Sequence, residues 1–559
     1  MQFRADVADG DWQKYDDVRK GSRLSGTFDH PMNFARSHFR VIHSAVAGAG
    51  LLVAACGSDA VSLDPLFSDH MVLQRDAKLP VWGTAAAGHE ITVTFKGATA
   101  AAVTDANGRW LVELPAQAAS MTSHDLKVLA NGQPQVTVSD VVVGEVWVCA
   151  GQSNMEFRCD QEETWSIERK AASLPRVRLR NMGYAGQGIF ASGYSASTLA
   201  RQRAADFYHR STWTVCDATT AAPFSAVGYF FGKEISGALD VPVGLINLSV
   251  GGSPAEAWVR RGALEDSPLA GMLSGNWLAN SLFEPWCVQR AKVQLGPNGS
   301  AAPGDDLGPN HSFKPSFLWN AGPARIAPFA IRGVLWYQGE SNALSHTGEL
   351  GVTNAKWRVE QHEQIFPVLV NDWRRRWGQG DFPFLVCQLS SIRETNYASH
   401  FWPEFRDYQR RATALLPNMG LAVTSDIGHV SNVHPTNKRD VGRRLARWAQ
   451  RYVHGDGRAL PCPLPSRATK SSSAVTVSFL HAGAELSTSN GRAPASFEIA
   501  GADGVFHAAT ASISGAMVLV TSVNVSAPTK VRYGWQPFSL GNVINASGLP
   551  ASTFFLDVQ

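Results

Sequence analysis

The chain has little charge. Asp, Glu, Lys and Arg make up 17% of its 559 residues, and 50 basic against 47 acidic side chains leave a formal net charge of +3. Non-specific affinity for nucleic acid comes from clustered positive charge, so a large surface of that kind is not expected. No apolar run reaches the roughly 20 residues that cross a bilayer. There is no Cys-x-x-Cys pair and no close Cys/His spacing, which argues against a structural zinc site. The 50 Gly and 29 Pro residues show no collagen-like period. No repeat of fixed period is found. Apolar material is plentiful, with 44% hydrophobic residues, including 17 Trp, 27 Phe and 10 Tyr. That excludes a disordered chain, and at about 150 residues per domain the length suggests three to four domains.

Residues 1–60 read as an address. Residues 1–31 are polar and precede a better start at Met32, so they read as an upstream extension. Arg36 and Arg40 then form a positive region and Val41 to Ala55 is apolar. Val53-Ala54-Ala55-Cys56 places small residues before a cysteine. This is signal-peptide anatomy, and it resembles a bacterial lipobox with lipidation at Cys56. Several acyl chains anchor stably where one is marginal. The expected location is the cell envelope, at the outer membrane, because Gly57 stands where the resemblance would place an inner-membrane Asp. An ordinary signal peptide is the alternative. Six further cysteines remain, Cys149, Cys159, Cys216, Cys287, Cys387 and Cys462. An oxidising compartment permits disulfides between them.

Residues 61–140 alternate apolar and polar positions between turn signals and predict a β-sandwich. Residues 141–455 predict an α/β domain. Apolar strand-like runs at 141–150, 243–250, 331–337, 384–389 and 421–424 alternate with helical patterns at 357–377, 405–416 and 439–453, which implies a parallel sheet covered on both faces. Residues 260–330 are rich in Gly, Pro, Asn and Ser and read as long loops near a cleft. Residues 466–559 return to β alternation.

Four strand ends carry candidate chemistry. Gly151-Gln152-Ser153-Asn154 follows the first strand, where a serine at a helix N-terminus is well placed for nucleophilic attack. Ser153-x-x-Glu156 equally matches a capping box. Ser249-Val250-Gly251-Gly252-Ser253 offers backbone N–H groups to a reacting oxygen, or is a plain turn. Gln338-Gly339-Glu340-Ser341-Asn342 places amides at a third strand end, or caps a helix. Asp426 and His434-Pro435 lie at the fourth, where a histidine can take a proton from serine and a carboxylate can orient its ring. A metal site built on Asp426, His429 and His434 has poor ligand spacing.

The chain order serine, glycine, amide, histidine resembles the SGNH/GDSL hydrolases, and more narrowly the sialate O-acetylesterase family of carbohydrate esterases. The resemblance rests on LFSDHMVLQR, GEVWVCAGQSNMEF, PVGLINLSVGGSPAEAW, PFAIRGVLWYQGESNA, DIGHVSNVHPTNKRDVGRRLA and KVRYGWQPFSLGNVINASGLPAS. It implies a flavodoxin-like three-layer α/β/α domain with accessory β regions, and hydrolysis of acetyl esters on sugars with no metal and no cofactor. Carried over by position, Ser153 is the nucleophile and His434 the general base. Gly251 or Gly252, with Gln338 or Asn342, serves the oxyanion, and Gln152, Asn154, Glu340 and Asn320 lie in the substrate site. The superfamily places Asp three residues before the histidine, but this chain has Ser431. Asp426 is the candidate orienting acid, and a Ser–His dyad the alternative. The expected substrate is an acetylated plant polysaccharide or oligosaccharide such as xylan or xyloglucan, with O-acetylated sialic acid as the alternative. A sugar-binding lipoprotein with a degenerate site is the rival from another class.

Overall fold

The computed structural model describes residues 60–344, 356–393 and 401–559. Cys56 and the rest of the proposed leader lie outside the described residues.

Seven strands build the central sheet: β1 (Gln133–Gly151), β2 (Leu174–Asn181), β3 (Thr214–Cys216), β4 (Val243–Asn247), β5 (Gly333–Tyr337), β6 (Phe384–Cys387) and β7 (Met419–Ala422). Their order is β3-β2-β4-β1-β5-β6-β7. Every neighbouring pair is parallel except β3 with β2. The parallel strands β4 to β7 are buried along their whole length, as expected of strands covered on both faces. One face is covered by α1 (Ala226–Leu239) and α4 (Arg439–Trp448), which pack on each other and on the sheet. Phe231 of α1 meets Trp147 of β1 edge-on, with ring centroids 4.9 Å apart. The other face is covered by α2 (Lys356–Trp377) and α3 (Trp402–Leu415). There Trp373 packs on Trp336 and Phe384. The result is the three-layer α/β/α domain expected.

Two features differ from the expectation. The boundary at 140/141 falls inside β1, a single strand of 19 residues. Its first half pairs with Ser120–Ala130 in the N-terminal β region and its second half is the middle of the parallel sheet. The change of partner is marked by Asp140, at φ 53°. Residues 260–330 are also not plain loop, because helices at Arg261–Glu265, Pro285–Leu295, Phe317–Ala321 and Pro323–Ile326 run through them.

The C-terminal region has two four-stranded antiparallel sheets. Val475, Val477, Ile499, Val518, Val531 and Phe554 form a core separate from that of the rest of the chain. Among the described residues all six cysteines are buried free thiols. Cys149 and Cys387, on β1 and β6, have thiols raised by burial.

Candidate active site

Ser153 and His434 meet at the carboxyl edge of the parallel sheet. Ser153 opens the helix Ser153–Glu156 directly after β1. Gly151 makes the exit possible: its φ is +126°, and a Cβ there would lie 2.2 Å from the Tyr337 carbonyl oxygen. Ser153 Oγ is 2.8 Å from His434 Nε2, within reach of direct proton transfer. Burial, reinforced by the nearby Lys438, lowers the imidazole from 6.5 to about 4. It is therefore neutral and able to accept a proton at ordinary pH.

Asp426 does not orient this histidine. Its two oxygens accept from Arg444 Nη1 and Nη2 at 2.6 and 2.7 Å, a bidentate pair that spends the carboxylate on α4. Among the described residues no carboxylate is bonded to the His434 ring. His429 is also turned elsewhere, its Nδ1 accepting from the backbone of Ser431 and Asn432.

The two glycines divide. Gly251 N–H already donates to Tyr184 Oη at 3.1 Å. Gly252, at φ +72°, has no side-chain volume to spare, since a Cβ would come 2.8 Å from Phe313. Its N–H, like that of Ser153, donates to no acceptor among the described residues. Both are therefore available to an oxyanion.

The amides are committed to the protein itself. Gln338 is wholly buried and its Nε2 lies 2.6 Å from Asn342 Oδ1, while Asn342 Nδ2 donates to Glu256 at 2.9 Å. Gln152 Oε1 accepts from Gly339 N at 3.3 Å and from Ser341 N at 3.2 Å, bracing the two strand-end loops. Asn154 and Glu340 are buried and bonded to each other at 2.5 Å. Gln338, Asn154 and Glu340 thus pack behind the serine instead of lining a substrate surface, and Asn320 is exposed on the helix Phe317–Ala321.

Other residues around the serine take roles that the sequence reading did not give them. Glu156 does not close a capping box, as the helix has no side-chain cap. Its carboxylate instead accepts from Tyr184 Oη at 3.0 Å and Gln187 Nε2 at 2.9 Å. Burial raises its carboxyl, with these bonds opposing. Glu156 lies beside Gly251, and the exposed ring of Phe190 lies on the same side. Trp286 stacks on Phe313 next to Gly252. Lys438, also overlooked, is buried behind the histidine.

A crystal structure of XAC1771, a carbohydrate acetylesterase from Xanthomonas citri, is 32% identical and superposes with a TM-score of 0.71. The match covers 89% of this chain and all of that one. The chain belongs to the sialate O-acetylesterase family of carbohydrate esterases. A family model described as carbohydrate esterase, sialic acid-specific acetylesterase, matches residues 317–451 of this esterase. Sialate O-acetylesterases from Rattus norvegicus and Homo sapiens are 27% and 25% identical over 437 and 436 residues. Those matches span 71% and 72% of the esterase and 75% and 72% of the relatives. The enzyme is a carboxylic ester hydrolase that acts on acetylated carbohydrate.

Proposed function

We propose that Ser153 and His434 perform the deacetylation as a dyad, on a neutral acetylated polysaccharide or oligosaccharide. The observation that carries the chemistry is the 2.8 Å contact between Oγ and Nε2. Ser153 Oγ attacks the acetyl carbonyl carbon as its proton passes to His434 Nε2. The N–H groups of Ser153 and Gly252 receive the negative oxygen. Collapse breaks the bond to the sugar oxygen, which leaves with the proton from His434. Water then attacks the acetyl-serine, its proton going to His434, and acetate departs as Ser153 is reprotonated.

The preference for a neutral sugar rests on Glu156. A sialic acid would bring its own carboxylate towards that of Glu156 beside Gly251, where burial already disfavours one negative charge, and two carboxylates sharing a site cannot both ionise cheaply. Phe190 and Trp286 present ring surface to a sugar face. A signal peptide with lipidation at Cys56 would hold the enzyme at the outer membrane, where degradation of an external xyloglucan or xylan is the fitting task. Acetate release by residues 57–559 tests this on acetylated xylan, acetylated xyloglucan oligosaccharides and O-acetylated sialic acid. Serine-dependent release from a neutral glycan is expected. Release from the sialic acid alone overturns the substrate assignment.

A further inference from the structure

A histidine acting without an orienting acid still has to be held. The His434 ring bonds only to Ser153 among the described residues, yet the chain is tied down on both sides of it, at the carbonyls of the residues before and after. The Val433 carbonyl accepts from Asn154 Nδ2 at 2.9 Å. The Pro435 carbonyl accepts from Lys438 Nζ at 2.5 Å. These two donors are themselves joined, since Lys438 Nζ donates to Asn154 Oδ1 at 2.6 Å. Asn154 Nδ2 also donates to Glu340 Oε1 at 2.5 Å. One amide, on the residue next to the nucleophile, therefore bridges an acid and a base that never touch, and reaches the backbone of the histidine.

This is a costly arrangement. Asn154 and Lys438 are 1% exposed and Glu340 4%. The second carboxylate oxygen of Glu340 is buried with no hydrogen-bond partner. Lys438 Nζ lies over the rings of Phe157 and Tyr337, at 4.6 and 5.8 Å from their centroids. Apolar side chains of similar volume would generally serve stability as well or better than buried ionisable groups. Such groups are commonly found where geometry or charge at a reacting centre depends on them.

We propose that Glu340, Asn154 and Lys438 form a clamp that fixes the His434 backbone from both sides, doing by hydrogen bonds to flanking carbonyls what an orienting carboxylate does at the ring. Glu340 and Lys438 are positioning residues, acting on the dyad through Asn154. Lys438 has a second effect. Its charge faces the imidazole and is itself faced by Glu340, Glu162, Glu163 and the Cys387 thiol. Removing it takes away one of the two influences that hold the imidazole low.

The inference rests on the dyad reading, so the test separates the two. Ser153→Ala and His434→Ala are run beside Lys438→Met, Glu340→Leu and Glu340→Gln in the full mature chain, with 4-nitrophenyl acetate across pH. Loss of turnover in the first two variants upholds the dyad whatever the clamp does. For Lys438→Met and Glu340→Leu, kcat is expected to fall about 10- to 100-fold, the scale of a small misplacement of a reacting group, with KM within about threefold. The acid limb of kcat/KM should move to higher pH in Lys438→Met. Glu340→Gln keeps an acceptor for Asn154 and should recover most of the loss seen with Leu. Folded Lys438→Met and Glu340→Leu proteins with wild-type kcat and an unmoved acid limb overturn the clamp. If either fails to fold, the test passes to Asn154→Ala, which removes the link between both arms; there the His434 ring exchanging between positions by NMR supports the clamp. A single ring position and titration identical to wild type overturn it.

Discussion

Ser153 stands at the end of a strand that begins in the N-terminal β region, and the two regions share one hydrophobic core. His434 lies in a loop with no regular structure between Ile427 and Arg439, and the support of that loop leads to the opposite end of the chain. His429 N donates to Ser391 O and Arg393 N to Val430 O. The segment 391–393 leans in turn on the C-terminal sandwich, with Ile392 N donating to Pro537 O and Ser539 N to Ser391 Oγ. Arg406, fully buried, ties the same corner by donating to Ser391 Oγ, Gly534 O and Pro537 O. The nucleophile side is thus continuous with its accessory domain, while the base side is docked onto one with a core of its own. Continuous backbone and shared apolar packing resist displacement, whereas a polar corner can be undone by one side chain.

Substitutions can break or sharpen that contrast. The largest effect is expected for Ser153→Ala or His434→Ala, each costing about 10⁴-fold or more in kcat. Acetate release measures it, and sugar binding retained in both would show that the two supports outlast the chemistry. Arg406→Met should come next. It removes the buried guanidinium that Ser391 Oγ, Gly534 O and Pro537 O share, at a stability cost on the order of 3 kcal/mol, read from the urea midpoint. It should lower kcat about tenfold through the histidine side. No comparably local change is expected to loosen Ser153. A pH profile sharpens the contrast further. The free enzyme needs His434 neutral, so kcat/KM should be flat down through pH 6 and fall only as pH approaches about 4, where the ring takes a proton. A limb near 6.5 would mean that the base is solvated and loosely held. The smallest effect is expected for Asp426→Asn, with kcat within about twofold of wild type because that carboxylate serves Arg444. A hundredfold loss would return it to the ring.

The strand ends were legible because buried parallel strands appear as unbroken apolar runs, and the polar residues after them can only lie at the sheet edge. Strand β2, LPRVRLRN, was missed because alternating arginines hide its apolar face. Helix α1, AVGYFFGKEISGAL, was missed because it is apolar on most sides and has no clear 3.6-residue stripe. At the site, spacing could place Gln338, Asn342, Asn154 and Glu340 at the edge. It could not say whether they faced the crevice or packed between loops, because that depends on partners 186 residues away, as between Gln152 and Gln338. Asp426 was misjudged for a related reason. Arg444, 18 residues on, looked like one more charge on a helix surface. Lys438 was overlooked because a lysine before a helix ordinarily reaches water.

The placement of β1 also bears on how the enzyme comes into being. The strand carrying the serine is made early, but its flanking partners in the sheet are β4 and β5, and the later of them begins only at Gly333. During synthesis the N-terminal β region can form around the first half of the strand while the second half still lacks a neighbour. An unpaired apolar edge invites association with other chains. Non-local pairings of this length are slow to close. Folding with the whole chain available shortens the time that this edge spends uncovered.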